Sequence, residues 1–341
     1  MKVAIDNGPL NNGDAVRGIG FHTKELVREL DKLQDEKFKL DVVDFKRMDL
    51  SKYDIVHYQY FRPHALTLPF FKPSKKVVVT IHDLIRLVYP EAYPAGIKGS
   101  LYFLLQKFNL RNVDAIITIS ETSKKDIVRF LGVDPDKIFV TYLAPQTPFE
   151  NSKEFSLTQE LPERYVLYVG DVNYNKNLLN LARACKLAKL KLVIVGKQSV
   201  IEKVDDNIEN EPWKEFLRVY KNDKDIIRLG YVDDLENVYK NATVYCQPSF
   251  YEGFGIQPLE AFGYNIPVVA SKTQAIVEVC GDACLYFDPK NPEDIAEKLA
   301  NVMKDKKLAN ELIKKGKERL KNYSWKKTAE ETLLVYKHVK R

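Results

Sequence analysis

Short runs of apolar, mostly β-branched residues alternate along this chain with stretches in which apolar residues recur at helical spacing. The runs predict twelve strands, at residues 3–5, 40–45, 54–57, 77–81, 115–119, 138–141, 165–169, 192–195, 226–229, 243–246, 267–270 and 284–287. Helical patterns such as those at residues 23–33, 122–131 and 177–187 fill the intervals. Strands that are apolar on both faces and joined by helices indicate parallel α/β sheets.

The alternation lapses between residues 145 and 162, where polar residues dominate. A chain of 341 residues is longer than one hydrophobic core usually serves, so we place an interdomain linker there. The pattern predicts two doubly wound domains, over residues 1–150 and 151–324, that face a cleft. The tail from Ser324 onward is a long helical pattern that no strand follows.

Composition and charge narrow the class of protein. Apolar residues make up 45% and charged residues 29%, which is typical of a globular protein. No apolar run approaches the roughly 18 residues of a membrane-spanning helix, and the N-terminus becomes acidic too early for a secretory signal. The net charge of +6 is spread along the chain, which fits an anionic small ligand or an acidic membrane surface rather than nucleic acid. The four cysteines have no metal-site spacing and indicate reduced, buried thiols in a cytoplasmic protein.

Residues that could bind a ligand or take part in catalysis lie in the segments that follow predicted strands. In open α/β sheets, ligands bind beyond the carboxyl ends of the strands. If both sheets turn these ends toward the cleft, one site collects all of these residues: Gly18, Gly20, His82, Asp83, Gly170, Gly196 and Glu252.

The most informative segment is SFYEGFGIQPLE, at residues 249–260. Gly253 and Gly255 would let the backbone approach a ligand closely, and the amides of residues 254–257 would open a helix, where they suit an anion. The carboxylates of Glu252 and Glu260 would accept hydrogen bonds from sugar hydroxyls. The segment therefore predicts a site for a ligand that has both an anionic and a sugar part.

This segment, continued by AFGYNIPVVAS, resembles the signature of the retaining glycosyltransferases of the GT-B fold, family 4. Other pieces of that pattern follow in order: RGIG at 17–20, TIHDL at 80–84, ISE at 119–121, YVG at 168–170 with KN at 176–177, LGYV at 229–232, and GDA at 281–283 with DP at 288–289. The resemblance implies an acceptor-binding N-terminal domain of residues 1–150 plus 325–341, and a donor-binding domain of residues 151–324. It also implies that the last helix crosses back onto the N-terminal domain.

The resemblance assigns roles in the second domain. Glu252 would hold the hydroxyls of the donor hexose, and Glu260 would accept hydrogen bonds from the ribose of the nucleotide. Lys176 would meet the diphosphate and help it to leave. The backbone beside Glu252 would also face the donor, at Gly253, Phe254, Gly255 and Ile256.

In the first domain, the resemblance brings the backbone of Gly18 to the diphosphate and His82 to the transferred sugar and the acceptor. One residue departs from the family pattern. The family often has an arginine where this chain has Asp171, which cannot stabilise a diphosphate. We expect either that Arg17 substitutes for it, or that Lys176 and helix amides suffice while Arg17 is solvated.

The function implied is transfer of a hexose, with mannose or glucose as the expectation, from a nucleoside-diphosphate sugar such as GDP-mannose or UDP-glucose to a glycan or lipid-linked acceptor. Catalysis would involve Glu252, His82 and Lys176. No metal is expected, because Lys176 and helix starts would stabilise the leaving diphosphate. Two alternatives remain: a catalytically silent nucleotide-sugar-binding protein, and a dinucleotide-dependent oxidoreductase, against which the incomplete glycine fingerprint at Gly18 counts.

Three weaker patterns have structural interpretations. The two Asp-x-Asp pairs, at residues 134–136 and 223–225, are interpreted as a turn and as the amino end of a strand. His57 is interpreted as a structural histidine. The apolar stripe Leu101, Leu104, Leu105 and Phe108, flanked by cations, is interpreted as packing against its own sheet, with peripheral contact to the cytoplasmic membrane face as the alternative.

Overall fold

The computed structural model describes residues 1–11, 18–146, 160–232 and 235–341, and these contain two parallel six-stranded sheets. The chain divides into two compact units, one of Met1–Ala144 with Tyr323–Arg341 and the other of Pro145–Asn322. All twelve predicted strands are found, with ends that differ from the prediction by no more than two residues. The predicted class, two doubly wound α/β domains, is confirmed.

The first unit is built on the sheet order β2-β1-β3-β4-β5-β6. Its strands are β1 Lys2–Asp6, β2 Lys39–Val43, β3 Ile55–Tyr58, β4 Lys76–Ile81, β5 Ala115–Thr118 and β6 Ile138–Val140. Its helices within Met1–Ala144 are α1 Gly8–Asn11, α2 Gly18–Asp31, α3 Ile85–Val88, α4 Gly96–Asn109 and α5 Glu121–Asp126, which continues as a π-helical turn over Ile127–Leu131. Most of the predicted linker, residues 147–159, lies outside the described residues. The inner strands are buried on both faces, as their continuous apolar runs predict.

The second unit has the sheet order β12-β11-β10-β7-β8-β9. Its strands are β7 Val166–Val169, β8 Leu192–Val195, β9 Ile226–Gly230, β10 Val244–Gln247, β11 Val268–Ser271 and β12 Cys284–Phe287. Its helices are α6 Leu178–Leu187, α7 Glu211–Tyr220, α8 Leu235–Lys240, α9 Ile256–Gly263, α10 Gln274–Cys280, α11 Pro292–Lys304 and α12 Lys306–Leu320. The four cysteines lie buried and unbridged in this unit, as predicted.

The strand order of the second sheet reverses between β7 and β10. From β7 the chain builds outward through β8 and β9, and from β10 it builds outward the other way through β11 and β12. The loops that leave two neighbouring strands at such a reversal diverge, which opens a crevice at their carboxyl ends. The loops after β7 and β10 are therefore the ones that a ligand would meet.

The C-terminal helix α13, Trp325–Lys340, belongs to the first unit. The Ser324 side chain caps its first turn by accepting from the backbone N–H of Lys327, at 3.2 Å. Buried Tyr336 lies against the sheet, and its hydroxyl is 2.6 Å from His57 Nδ1. His57 Nε2 is 2.8 Å from the Thr80 hydroxyl. His57 is thus the structural histidine that the sequence indicates, and the predicted return of the last helix is confirmed.

The interpretation of the α4 stripe as a packing surface is wrong for Leu101, Leu104 and Phe108, which are 55%, 63% and 51% exposed. The reason is that α4 turns polar residues inward. The buried Gln106 side chain accepts from the backbone N–H of Leu68 and donates to the Thr67 hydroxyl, while Asn109 donates to the Leu68 carbonyl. Because these polar side chains are buried together with their hydrogen-bond partners, the apolar stripe on the opposite face of α4 is exposed to solvent. None of the helices in the described part of the chain is long and apolar enough to cross a bilayer.

Candidate functional site

The loops after β7 and β10 are joined by an ion pair between Lys176 and Glu252. The Lys176 ammonium lies 2.8 Å from Glu252 Oε1 and 2.9 Å from Oε2. Both side chains are mostly buried, with 18% and 9% of their surfaces exposed. Two of the predicted site residues, 76 positions apart, therefore meet at the switch point of the sheet.

The Glu252 carboxylate is also held from the end of β10. Its Oε1 accepts from the Gln247 amide at 2.8 Å and from the Ser249 hydroxyl at 2.6 Å. The Gln247 side chain is itself held in place, because its Oε1 accepts a hydrogen bond from the Tyr245 hydroxyl at 2.5 Å. A carboxylate offers about four acceptor positions, so this crowding of Oε1 leaves Oε2 as the oxygen with capacity for a ligand hydroxyl.

Asparagines position the loop that carries Lys176. The Asn175 carbonyl accepts from the backbone N–H of Phe250, and its side chain donates to the Tyr251 carbonyl at 3.1 Å. Asn177 adopts a left-handed conformation, with φ at 56°, and its side chain donates to the Pro248 and Pro289 carbonyls at 2.9 and 2.7 Å. These contacts fasten the two loops to each other, so the ammonium and the carboxylate are held in place before any ligand binds.

Gly255 is required at the start of α9. Its φ is +88°, and a Cβ atom built there would lie 2.3 Å from Cδ1 of Ile276. Only glycine fits this position, because the conformation disfavours other residues and the space is already filled. The turn at Gly255 starts α9 at Ile256, close in sequence to Glu252. The helix start thus adds the positive end of its dipole to this part of the unit.

Glu260 lies one turn inside α9 and accepts a hydrogen bond from the Tyr239 hydroxyl at 2.8 Å. Burial raises the pKa of Glu260 to about 7, although the Tyr239 hydrogen bond acts in the opposite direction. The ring of Tyr239 stacks on that of Tyr264, with centroids 5.4 Å apart. A carboxyl group with this pKa is ionised in part of the molecules at neutral pH, and only the ionised form accepts with both oxygens.

In the first unit, His82 follows β4 directly and pairs with His22 of α2. His22 Nδ1 and His82 Nε2 are 2.8 Å apart, with the rings edge to face. The Trp325 ring stacks on His22 at 5.8 Å. Burial lowers the pKa of His82 to about 4 and that of His22 well below its ordinary value, so both rings are neutral at physiological pH.

The remaining predicted residues lie at the edge of what the structure describes. Gly18 is the first residue of α2, and a Cβ atom there would meet nothing within 4 Å, so its backbone is accessible. Arg17 lies outside the described residues, and its predicted role stays a prediction. The Asp171 carbonyl accepts from the Tyr168 hydroxyl at 2.6 Å, which fixes the backbone where the family often has an arginine.

Both Asp-x-Asp pairs have structural partners. Asp134 caps a short turn by accepting from the backbone N–H of Asp136 at 3.0 Å. Asp223 and Asp225 both bind the Lys186 ammonium, at 2.9 and 2.7 Å. Within the described ranges, no cluster of three or more His, Cys, Asp or Glu side chains is arranged to hold a metal ion.

Among the contributors to these sites that were not predicted from the sequence are Gln247, Tyr239 and His22. Gln247 could have been found from its place at the carboxyl end of a strand, which is the signal that identified the other residues. Tyr239 carried no such signal, since it lies within α8. His22 could have been found only from the helical spacing that places it one turn after Gly18, on the same face of α2.

Two family models match the chain. Residues 150–319 match glycosyl transferases group 1, and residues 38–144 match glycosyltransferase family 4. The O-antigen chain mannosyltransferase B of Escherichia coli is 28% identical over 298 residues, which are 82% of this chain and 72% of that protein.

Two solved structures share the fold. Sucrose-phosphate synthase from Thermosynechococcus elongatus has a TM-score of 0.73 at 16% identity, covering 99% of each chain. Anabaena HepE, solved in complex with UDP and glucose, has a TM-score of 0.70 at 12% identity, covering 99% of this chain and 100% of that one. At these identities the likeness shows the fold alone.

Proposed function

Because this chain belongs to the glycosyl transferases of group 1, has their GT-B fold and is therefore a glycosyltransferase, we propose that it transfers a hexose from a nucleoside-diphosphate sugar with retention of anomeric configuration. The observation that carries the proposal is the Lys176–Glu252 pair at the switch point of the second sheet. A cation and a hydroxyl-accepting carboxylate side by side match the two parts of such a donor. Family membership argues against the oxidoreductase alternative.

The donor would lie across the loops after β7 and β10. Lys176 would meet the diphosphate, Glu252 Oε2 would accept from a hexose hydroxyl, and Glu260 would accept from the ribose. The backbone from Gly253 to Ile256 would border the hexose. The fixed positions of the pair support this arrangement, since pre-organised groups need no rearrangement when charge develops.

In the transfer step, the bond between the anomeric carbon and the diphosphate oxygen breaks as the acceptor oxygen bonds to the same face of the sugar. The proton of the acceptor hydroxyl passes to the leaving phosphate oxygen. Lys176 and the start of α9 would stabilise the charge that builds on the diphosphate. Glu252 is held by Lys176, Gln247 and Ser249, which supports a binding role rather than that of a covalent nucleophile.

The donor class is proposed to be a GDP- or UDP-hexose. The mannosyltransferase names among the relatives favour GDP-mannose, and the O-antigen relatives favour a growing glycan or a lipid-linked acceptor. The N-terminal unit, with His82, would select that acceptor.

A donor screen followed by stereochemistry tests the proposal. Thermal-shift measurements with GDP-mannose, UDP-glucose and ADP-glucose would identify the donor, and proton NMR would then follow the sugar as it is released or transferred. We expect an α-linked donor to give the α anomer first. The β anomer appearing first would overturn retention, and binding without turnover with any acceptor would favour the silent sugar-binding alternative.

We further propose that α4 rests on an anionic membrane surface, which would bring the enzyme to a lipid-linked acceptor. Ile97, Leu101, Leu104 and Phe108 form a continuous exposed stripe along the helix. Asn112 binds the Phe70 carbonyl at 2.9 Å and so brings exposed Phe70 and Phe71 beside the end of the stripe. An apolar surface of this extent marks an interaction site rather than scattered exposure.

The charged residues beside the stripe indicate which kind of surface it would bind. Lys98, Lys107 and Arg111 are exposed beside it, and residues 92–113 contain no aspartate or glutamate. The Arg111 guanidinium lies 3.6 Å above the Phe108 ring, and Lys98 lies over Tyr102. An apolar helix face on a segment whose charged residues are all cations fits anionic lipid headgroups, and it disfavours pairing with a second copy of the same basic surface.

Vesicle sedimentation tests this contact. The protein should bind vesicles of equal parts phosphatidylglycerol and phosphatidylcholine, and pure phosphatidylcholine much less. Leu104→Glu should weaken binding at least tenfold, because burial of one leucine is worth about 1.5–3 kcal/mol. The matched control is Leu334→Glu on α13, where the leucine is equally exposed at 62%. Equal binding by both variants would contradict the proposal.

A further inference from the structure

The pairing of His22 with His82 has a consequence for which ring nitrogen of His82 carries a proton. His22 Nδ1 and His82 Nε2 are 2.8 Å apart. A contact between two neutral imidazoles needs one N–H donor and one bare nitrogen, so one ring fixes the tautomer of the other. Which ring donates depends on the two nitrogens that are left over.

Two arrangements satisfy the contact. In the first, His22 Nδ1–H donates to His82 Nε2, which leaves His22 Nε2 bare and His82 Nδ1 protonated. In the second, His82 Nε2–H donates to His22 Nδ1, which leaves His22 Nε2 protonated and His82 Nδ1 bare. The two differ in what is buried at His22 Nε2.

The surroundings of His22 Nε2 show which of the two arrangements is more stable. His22 is 1% exposed, and its Nε2 has no hydrogen-bond partner in the described part of the chain. A buried N–H without an acceptor is among the rarest defects in folded proteins, whereas an unused acceptor lone pair is tolerated more readily. The stacked Trp325 ring covers one side of His22 with an apolar surface, which is a poor substitute for an acceptor. The first arrangement is therefore the more stable.

From this geometry we propose that His22 is a positioning residue that locks His82 in its Nδ1–H tautomer, so that His82 acts as a hydrogen-bond donor through Nδ1. The consequence for catalysis rests on the proposed function: His82 would donate a hydrogen bond to an oxygen of the acceptor. It would not take the acceptor's proton, because the Nε2 lone pair is already occupied by His22. This agrees with proton transfer to the leaving phosphate.

Burial lowers the pKa of His82 to about 4, which agrees with this arrangement because a proton on His82 Nε2 would place two donors against each other. His82 follows β4 directly and keeps part of its surface exposed, which leaves it able to reach a ligand. His22 is buried at the first turns of α2, where it cannot contact a ligand except through His82.

Histidine-selective 15N NMR on the ligand-free protein tests the tautomer independently of any activity. His82 is assigned by the loss of its signals in His82→Gln. We expect wild-type His82 to show a protonated Nδ1 and a bare Nε2. A protonated Nε2 on His82 would overturn the proposal, even if the donor-binding site proves correct.

Two variants separate the hydrogen bond from the packing. His22→Phe keeps a ring for Trp325 but removes the contact with His82, and His22→Asn places an amide near the Nδ1 position that can donate to His82. We expect His22→Phe to shift His82 toward mixed tautomers and to lower kcat/KM about tenfold, with His22→Asn restoring both. An unchanged tautomer in His22→Phe would refute the locking, and an altered tautomer with unchanged kcat/KM would refute its role in transfer.

Discussion

The Lys176 ammonium and the Glu252 carboxylate form a two-point ion pair, at 2.8 and 2.9 Å, across the loops that diverge from neighbouring strands β7 and β10. The pair holds the cation that a diphosphate needs next to the acceptor that a sugar hydroxyl needs. It also brings together two opposite charges that are both mostly buried. In the proposed donor complex, Lys176 would share its hydrogen bonds between Glu252 and the phosphate oxygens.

Replacing Glu252 should separate binding from turnover. In Glu252→Gln the amide keeps hydrogen bonds to its neighbours, but the negative charge beside Lys176 is lost. We expect transfer to fall by about 10- to 100-fold, since a charge-assisted contact to the sugar is worth about 1.5–3 kcal/mol. The affinity for the nucleoside diphosphate should be unchanged or slightly higher, because Lys176 no longer shares its charge.

Turnover assays with calorimetry on the same Glu252→Gln preparation give both quantities. Glu252→Ala is the harsher variant, in which transfer should be abolished and Lys176 loses its contact with the carboxylate. Near-normal turnover in Glu252→Gln would remove the carboxylate from the mechanism.

Glu260 should make the free energy of unfolding depend on pH. Its pKa is raised from 4.5 to about 7 in the folded protein, so between these values the folded state holds a proton that the unfolded state releases. Stability contributed by this group is therefore lost as pH rises. Glu260→Gln cannot titrate at this position. Its free energy of unfolding, relative to that of the wild type, should therefore rise by about 2 kcal/mol from about pH 5 to pH 8.

Urea unfolding at both pH values measures the difference for Glu260→Gln. Glu318→Gln, at an exposed carboxylate, reports the general effect of removing one negative charge from the surface. A stability difference at Glu260 that does not change with pH would contradict the raised pKa.

Gly255→Ala should destabilise the second unit. The new methyl group would meet Ile276 Cδ1 at 2.3 Å in a backbone conformation with φ at +88°. Strain of this kind costs about 1–3 kcal/mol, which urea unfolding resolves. Gly18→Ala is the matched control, since a methyl group there meets nothing within 4 Å. If the two variants are equally stable, the start of α9 does not require glycine.

Transfer should persist in excess EDTA. In the proposed site, Lys176 and the start of α9 would supply positive charge for the leaving diphosphate. The Asp-x-Asp pairs are engaged in a turn and with Lys186. The test is the rate before and after chelation, with added Mg²⁺ and Mn²⁺ as the reverse experiment. Complete loss in EDTA, restored by either ion, would show that a metal handles the leaving-group charge.

The sequence predicted the strands well because each is apolar on both faces and joined to a helix, a pattern that few other structures produce. The sequence-based prediction of which face of α4 is buried was wrong. That choice depends on hydrogen bonds between Gln106 and both Thr67 and Leu68, which no periodicity along the helix reveals. The polar face of α4 is buried because it bonds to Thr67 and Leu68, in a loop 39 and 38 residues before Gln106.

The candidate site was predictable only in part. The motif around Glu252 and the position of Lys176 are visible in the sequence, but their ion pair and its supports, Gln247 and Ser249, depend on which strands become neighbours. The raised pKa of Glu260 follows from burial, and the hydrogen bond from Tyr239 on another helix only reduces the rise. Such properties arise from packing, so they appear only once the fold is known.

The most direct test of the central claim, that the Lys176–Glu252 site binds a nucleoside-diphosphate sugar, is calorimetric titration of GDP and UDP into the wild type, Lys176→Gln and Lys321→Gln. Lys176→Gln removes the charge but keeps a donor for Glu252, and Lys321→Gln removes an exposed charge from the same unit. We predict that the nucleotide which binds the wild type will bind Lys176→Gln about 10- to 100-fold more weakly and Lys321→Gln equally well. Equal affinity for the wild type and Lys176→Gln would contradict the account.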